Sequence, residues 1–295
     1  MKVEYNERVS LGQIDIRTDM VEKEVTILHL TDSHLLEVDD REEELDFLYA
    51  IQRKWKDIEN VEAMSSRLHF NNLLQLGHEK EVGCTVMTGD VVDFPSLANL
   101  DFVKKSLQSL ASPYLYTLGN HDWYYPYMEW NDSTRKDYYP RFFDFTYGNP
   151  AYQMVNVNGI KLIAIDNSNY QISEEQLHFF QEQLQDGLPC LLFMHIPLYI
   201  PSLATEVVQT WKAPIMMAAP GWDVKTQQLW KVRDADPSTI QFYHLVTGKE
   251  HDQLLGIFCG HVHFPHQDPF RPNRYQFITT PCFRGGYRII RILPW

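Results

Sequence analysis

Residues 84–93 read Cys-Thr-Val-Met-Thr-Gly-Asp-Val-Val-Asp, an apolar, β-branched run that stops at a glycine and then presents two carboxylates. A run this short, apolar on both alternating faces, is the pattern of a strand buried in a parallel sheet. The same grammar recurs along the chain. Val25 to Thr31 ends on Asp32-Ser33-His34, Tyr114 to Leu118 on Gly119-Asn120-His121-Asp122, Cys190 to Met194 on His195, and Leu254 to Cys259 on Gly260-His261-Val262-His263. Five strands that each give way to a polar cluster place those clusters where open α/β sheets gather their ligands.

Between the strands the apolar spacing becomes helical, over a long stretch from roughly Arg41 to Glu81 and again from Ser96 to Ala111. Alternating strands and helices predict an α/β fold with a substantially parallel sheet. The middle of the chain adds an antiparallel element. Tyr152 to Val157 and Ile160 to Asp166 flank Asn158-Gly159, the dipeptide best suited to a type I′ hairpin turn. Ser173-Glu174-Glu175-Gln176 then has the form of a capping box, opening a helix that runs to Asp186 and closes at Gly187. From about 198 to 254, Pro201, Pro214, Pro220, Gly221 and Pro237 lie among Trp211, Trp222 and Trp230, and the stretch reads as an irregular insertion covering one face. Strand-like alternation returns over Tyr275 to Thr280 and Tyr287 to Leu293. With no internal repeat or linker, one domain over residues 1–295 is expected.

The balance of 26 basic against 39 acidic residues gives a net charge of −13, so a nucleic-acid duplex is an unfavourable partner and a small phosphorylated or otherwise compact substrate a better one. Met1 to Glu24 lacks the basic-then-apolar pattern of a secretory signal, and no apolar run reaches the ~18 residues of a membrane span. A cytoplasmic protein without membrane attachment is expected. Cys84, Cys190, Cys259 and Cys282 sit in or beside apolar runs with no short C-x-x-C spacing, which favours buried reduced thiols over disulfides or a zinc knot.

Singly, each polar cluster has an ordinary explanation in turn chemistry or core packing. Together they supply Asp32, Asp90, Asn120, His34, His195, His261 and His263, an oxygen and imidazole set without thiolate that suits Mn, Fe, Zn or Ni. Asp32 and His34, two apart on extended backbone, would point the same way toward one ion.

At this point the chain resembles the calcineurin-like metallophosphoesterase superfamily, whose pattern D-x-H, G-D-x-x-D, G-N-H-D/E, H, G-H-x-H is complete and in order from residue 32 to 263. The resemblance implies a four-layer α/β/β/α sandwich, with two mixed β-sheets flanked by helices and the metal site at the carboxyl ends of the strands. It also implies that Asp32, His34 and His263 hold one ion, that Asn120, His195 and His261 hold a second, and that Asp90 bridges both. His121 would be the non-ligand histidine facing substrate, with Asp93 accepting its other N–H. Purple acid phosphatases within this superfamily carry a tyrosine ligand where this chain has Asp93, which sets them aside.

The chemistry explains these residue types. A phosphate ester repels an anionic nucleophile, and two cations about 3.5–4 Å apart neutralise both while clamping an in-line geometry. Water bound to such ions titrates near ~7, so a bridging hydroxide serves as nucleophile without any serine or cysteine. The expected activity is hydrolysis of a small phosphodiester or phosphomonoester. The alternatives are a non-catalytic protein-binding scaffold on the same fold, or a nuclease or nucleotide pyrophosphatase of the same superfamily. Candidate substrate contacts are Arg284, placed before Gly285-Gly286, and the aromatics Trp123 and Tyr124 that follow the third cluster. Seven acids between Glu37 and Asp46 read as a solvated helix start that complements the helix dipole.

Overall fold

The computed structural model describes residues 2–8, 12–58 and 63–295. Its elements in chain order are β1 (Val3–Arg8), β2 (Gln13–Thr18), β3 (Val25–Leu30), α1 (Glu44–Ile58), α2 (Ala63–Glu79), β4 (Cys84–Thr88), α3 (Leu97–Leu107), β5 (Tyr114–Thr117), α4 (Asp132–Tyr138), β6 (Tyr152–Val157), β7 (Ile160–Ile165), α5 (Glu174–Gln183), β8 (Cys190–Phe193), α6 (Pro201–Trp211), α7 (Val224–Trp230), α8 (Pro237–Thr247), β9 (Leu254–Cys259), β10 (His266–Arg271), β11 (Arg274–Ile278) and β12 (Arg288–Pro294).

The strands form two six-stranded mixed sheets, ordered β1-β2-β12-β3-β4-β5 and β10-β11-β9-β8-β7-β6. In the first, β3, β4 and β5 run parallel, and β12 enters antiparallel beside β3. In the second, β7, β8, β9 and β11 run parallel, with β6 and β10 antiparallel at the two edges.

Strand alternation produces the layers. Ile27, Val86 and Leu115 of the first sheet meet Leu162, Leu191, Phe193 and Phe258 of the second in one buried cluster between the sheets. The alternate residues turn outward, where Leu28, Leu30 and Met87 pack on Phe70 and Leu74 of α2 and Val103 of α3. On the far side Ile163, Leu192 and Ile257 pack on Phe180 of α5, Val207 of α6 and Phe242 of α8. Both faces of each central strand are therefore buried, with His29 of β3 and Thr88 of β4 among the polar exceptions and bonded to each other. The four-layer sandwich of two mixed sheets flanked by helices stands as expected.

Local expectations fare unevenly. The hairpin turn holds Asn158 and Gly159 at φ of 50° and 88°, the double left-handed geometry of a type I′ turn. Ser173 and Gln176 make both hydrogen bonds of the capping box. The long helical stretch appears as α1 and α2, and the part of that expectation falling on residues 59–62 lies outside the described residues.

The stretch from 198 to 254 is more regular than expected, since it carries α6, α7 and α8 with irregular segments between them. Of its four prolines, Pro201 and Pro237 sit at the starts of α6 and α8, where the missing N–H is unpaired in any helix and the fixed φ is already helical, while Pro214 and Pro220 lie between α6 and α7. Strands β1, β2 and β10 also went unread. Charged residues interrupt β1 and β2, and β10 is an edge strand that tolerates Pro269 beside a register shift. Among the described residues no helix is long and apolar enough to cross a membrane.

Candidate metal centre

The carboxyl ends of β3, β4 and β5 in one sheet and of β8 and β9 in the other converge on one spot. Hydrogen bonds between loops hold them there. His195 Nδ1 donates to the Thr88 carbonyl across the sheets at 2.7 Å, the Gly260 amide donates to the His195 carbonyl at 3.0 Å, and the Asp32 amide donates to the Gly89 carbonyl at 3.0 Å. The approach is close enough to exclude side chains. A Cβ on Gly119 would lie 2.2 Å from an Asp90 oxygen, and one on Gly260 would lie 1.8 Å from Thr31 Oγ1. Glycine in the third and fifth clusters is thus a packing requirement.

Asp32, His34, Asp90 and His263 present donor atoms within 4.8 Å of one another, and so do Asp90, His195 and His261. Asp90 belongs to both groups. These residues take the left-handed region unusually often: Asp32 at φ 51°, His34 at 46°, Asp90 at 48°, His261 at 70° and His263 at 61°. Such conformations cost about 1–3 kcal/mol each and persist where the surroundings over-determine them. Asp32 and His34 therefore converge, but through paired left-handed turns and not through the strand alternation expected from their spacing.

Each ring is oriented by a partner on its far side. His34 Nδ1 donates to the Asp93 carboxylate at 2.9 Å, leaving Nε2 facing His263 Nε2 at 3.3 Å. His195, with its Nδ1 proton on Thr88, turns Nε2 toward Asp90 at 3.2 Å and toward His261 Nδ1 at 3.2 Å. His261 shares its Nε2 with the Tyr170 hydroxyl at 2.9 Å. Ring nitrogens thus lie opposite each other in two places, His34 against His263 and His195 against His261, where a cation between them could take a lone pair from each. Asn120 Oδ1 is buried and has no hydrogen-bond partner, an orphaned acceptor of the kind a second ion would satisfy. The donor set fits two ions.

Electrostatics agree. Burial alone would raise Asp32, yet His263 and then His195 pull it down to about 2. Burial would depress His195, but Asp90 and Asp32 outweigh it and push that ring up to about 9. The pocket's carboxylates thus set up a field that calls for positive charge.

His121 and Asp93 depart in detail from expectation. His121 Nδ1 donates to the Asp93 backbone carbonyl at 3.0 Å, while the Asp93 carboxylate lies 3.5 Å away and serves His34. Arg53 from α1 grips that carboxylate, Nε to Oδ2 at 2.6 Å and Nη2 to Oδ1 at 3.1 Å. Asp122 accepts from the amides of Gly119 and Val92 and from the Tyr116 hydroxyl, tying the third cluster to the second. Burial, then repulsion from Asp90, lifts its pKa to about 7.

A cleft of about 320 Å³ opens from Asn120, His121 and His261 between aromatic walls. Tyr124 lines it. Trp123 is fully buried with its indole N–H on Ser168 Oγ, so it backs the wall and does not face substrate. Arg284 is exposed at the end of the short turn Cys282–Arg284. The residue of that turn in contact with the ligand rings is Phe283, edge-on to His34 and His263. Arg53 and Tyr170 were missed by sequence reasoning because neither lies in a cluster and each acts through another residue.

The chain belongs to the calcineurin-like phosphoesterase family, whose model matches residues 25–265. It is a metal-dependent phosphoesterase, and the family implies a dinuclear metal site. No curated protein matches it in sequence. Among solved structures it is similar to a dimetal phosphatase from Danio rerio, at 12% identity and a TM-score of 0.52, with 88% of each chain covered. It is also similar to a purple acid phosphatase from yellow lupin (Lupinus luteus) seeds, at 13% identity and a TM-score of 0.51, covering 92% of this chain and 46% of that one. At these identities the likeness is one of fold.

Proposed function

We propose that the chain hydrolyses small phosphate monoesters or diesters in the cytoplasm with two ions drawn from Mn, Fe, Zn and Ni. Asp32, His34 and His263 would hold one ion and Asn120, His195 and His261 the other, with Asp90 shared between them. The observation that carries this reading is the convergence of six donors in two groups that share Asp90, beside an Asn120 Oδ1 that is buried and unpartnered in a residue lining the same cleft as His261. When bound, the ions supply charge neutralisation at the phosphoryl group and acidify the attacking water.

The chain's own residues do the rest. Asp93, held by Arg53, fixes the His34 ring, and Thr88 and Tyr170 fix those of His195 and His261. His121 has Nδ1 committed to the Asp93 carbonyl, so Nε2 is the nitrogen left to carry a transferable proton. As the bond from phosphorus to the alcohol oxygen breaks, His121 donates that proton to the departing alkoxide. Four buried, unpaired cysteines accord with a reducing compartment.

The test is to strip the protein of metal, resupply Mn²⁺, Fe²⁺, Zn²⁺ and Ni²⁺ separately, and assay mono-, di- and pyrophosphate esters at each loading. Turnover that rises as two ions bind per chain is expected. A chain that binds fewer than two and stays inert on every ester would support the scaffold reading instead.

A further inference from the structure

We propose that the alcohol of the ester carries a flat aromatic ring with an anionic group beyond it, selected by a cleft wall built from Tyr124, Trp130, Trp230 and Lys231. This rests on the hydrolase reading above and specifies its substrate class.

The cleft starts at Asn120, His261 and the proton-bearing His121, so the organic part of an ester bound there lies along its walls. Those walls are rings from separate parts of the chain: Tyr49 from α1, Tyr124 and Trp130 from the segment after the third cluster, Tyr170, and Trp230 from the end of α7. Two of them stand at a steep angle to one another. Tyr124 and Trp130 meet edge to face at 4.9 Å, and Trp230 is braced the same way, at 6.0 Å, by Trp211, which is not itself part of the wall. Any apolar wall rewards an apolar guest by area, but rings also prefer another ring, through their quadrupoles.

Among the described residues that line this cleft, Lys231 is the one lysine or arginine. Its contacts among the described residues are neutral: the Tyr124 hydroxyl, the Pro126 carbonyl at 3.2 Å and the face of the Tyr124 ring at 4.8 Å. In a chain of net charge −13, an ammonium held against neutral groups at the mouth of a catalytic cleft is placed to take an anion. Lys231 caps α7 in the left-handed conformation, φ 55°, and contacts Tyr124 from there.

The experiment compares benzyl phosphate with cyclohexylmethyl phosphate, whose alcohols are similar in size and differ in the flatness of the ring; benzyl alcohol is slightly the more acidic, so the wild-type ratio is read against that of the wall variants. Methyl diesters of both alcohols run in parallel. Wild type should favour benzyl by roughly 3- to 10-fold in kcat/KM, and 4-carboxybenzyl phosphate over benzyl by at least about 3-fold. Calorimetric titration with benzylphosphonate and cyclohexylmethylphosphonate, which cannot turn over, should give the same order of affinity. Trp230→Leu, or Tyr124→Leu should the first fail to fold, should bring the benzyl-to-cyclohexylmethyl ratio toward one. Lys231→Gln should do the same to the carboxybenzyl-to-benzyl ratio. Brisk turnover of both rings at equal kcat/KM, or a ratio that survives both wall variants, overturns ring selection and leaves the hydrolase reading intact. A carboxybenzyl preference absent in wild type, or surviving Lys231→Gln, overturns the anion half. Turnover of none of the esters with any metal overturns the hydrolase reading itself and this one with it.

Discussion

The cradle of metal donors and the wall contributed by α7 border the same cleft and are built on opposite terms. In the cradle, Asp32, Asp90, His195 and His261 are buried, five residues hold left-handed backbone, and each loop is hydrogen-bonded to another. No residue of α7 is buried, and Val224 and Leu229 are 70% and 77% exposed. The helix is held by an Asp223 cap, by the edge contact of Trp230 with Trp211, and by Lys231 reaching Tyr124. Donor atoms must stay fixed to tenths of an ångström for metal chemistry, and only a packed, mutually bonded set of loops achieves this. A wall that only discriminates among alcohols can be attached lightly, and substitutions there change selectivity without disturbing the reaction centre.

The largest effect that would sharpen this contrast comes from Asp90, which serves both donor groups and also accepts the His121 amide at 2.8 Å. Asp90→Ala should lose metal and lower turnover by about 10³-fold or more, read by elemental analysis beside the ester assay. Two ions per chain at near-normal turnover would remove the bridging role. Next is His121→Ala. Losing the proton donor should slow alkyl esters by about 10²- to 10⁴-fold and aryl esters of acidic alcohols far less, because their leaving groups need no proton. Equal losses on both series would end the acid assignment.

Tyr170 tests where cradle and wall meet, since it lines the cleft and also orients His261. Tyr170→Phe keeps the ring and removes the hydroxyl. The expected loss is about 10- to 100-fold in affinity for one ion of the pair or in turnover. Titration of metal into stripped protein reads the affinity directly. Unchanged binding of both ions together with unchanged turnover would make Tyr170 a wall residue alone.

How much of this was legible follows the same divide. The β3, β4, β5, β8 and β9 strands and their terminal clusters could be read because burial on both faces demands unbroken apolar runs and ligands demand particular side chains. The left-handed turns that aim Asp32 and His34 could not, since that region belongs to glycine by default and only tertiary contacts force it on other residues. Arg53 and Tyr170 act through a second residue, and nothing in their own neighbourhoods marks them. The helices of 198–254 were hidden by Pro201 and Pro237, residues that break a helix in its interior and start one at its first turn. Trp123 and Tyr124 show the limit of adjacency: neighbours in sequence, one is buried in the core and the other lines the cleft.

The smallest predicted effect is the one that isolates α7. Leu229 exposes most of its surface, so replacing it removes little apolar area from the folded state that water does not already touch. Leu229→Ser should shift stability by no more than about 0.5 kcal/mol. Phe193, fully buried between the sheets against Phe258 at 5.4 Å, supplies the opposite case, and Phe193→Ala should cost about 3–5 kcal/mol. Denaturant midpoints at constant slope measure both. A loss at Leu229 approaching that at Phe193 would mean that α7 belongs to the cooperative core, and the division between a rigid cradle and a lightly attached wall would fail.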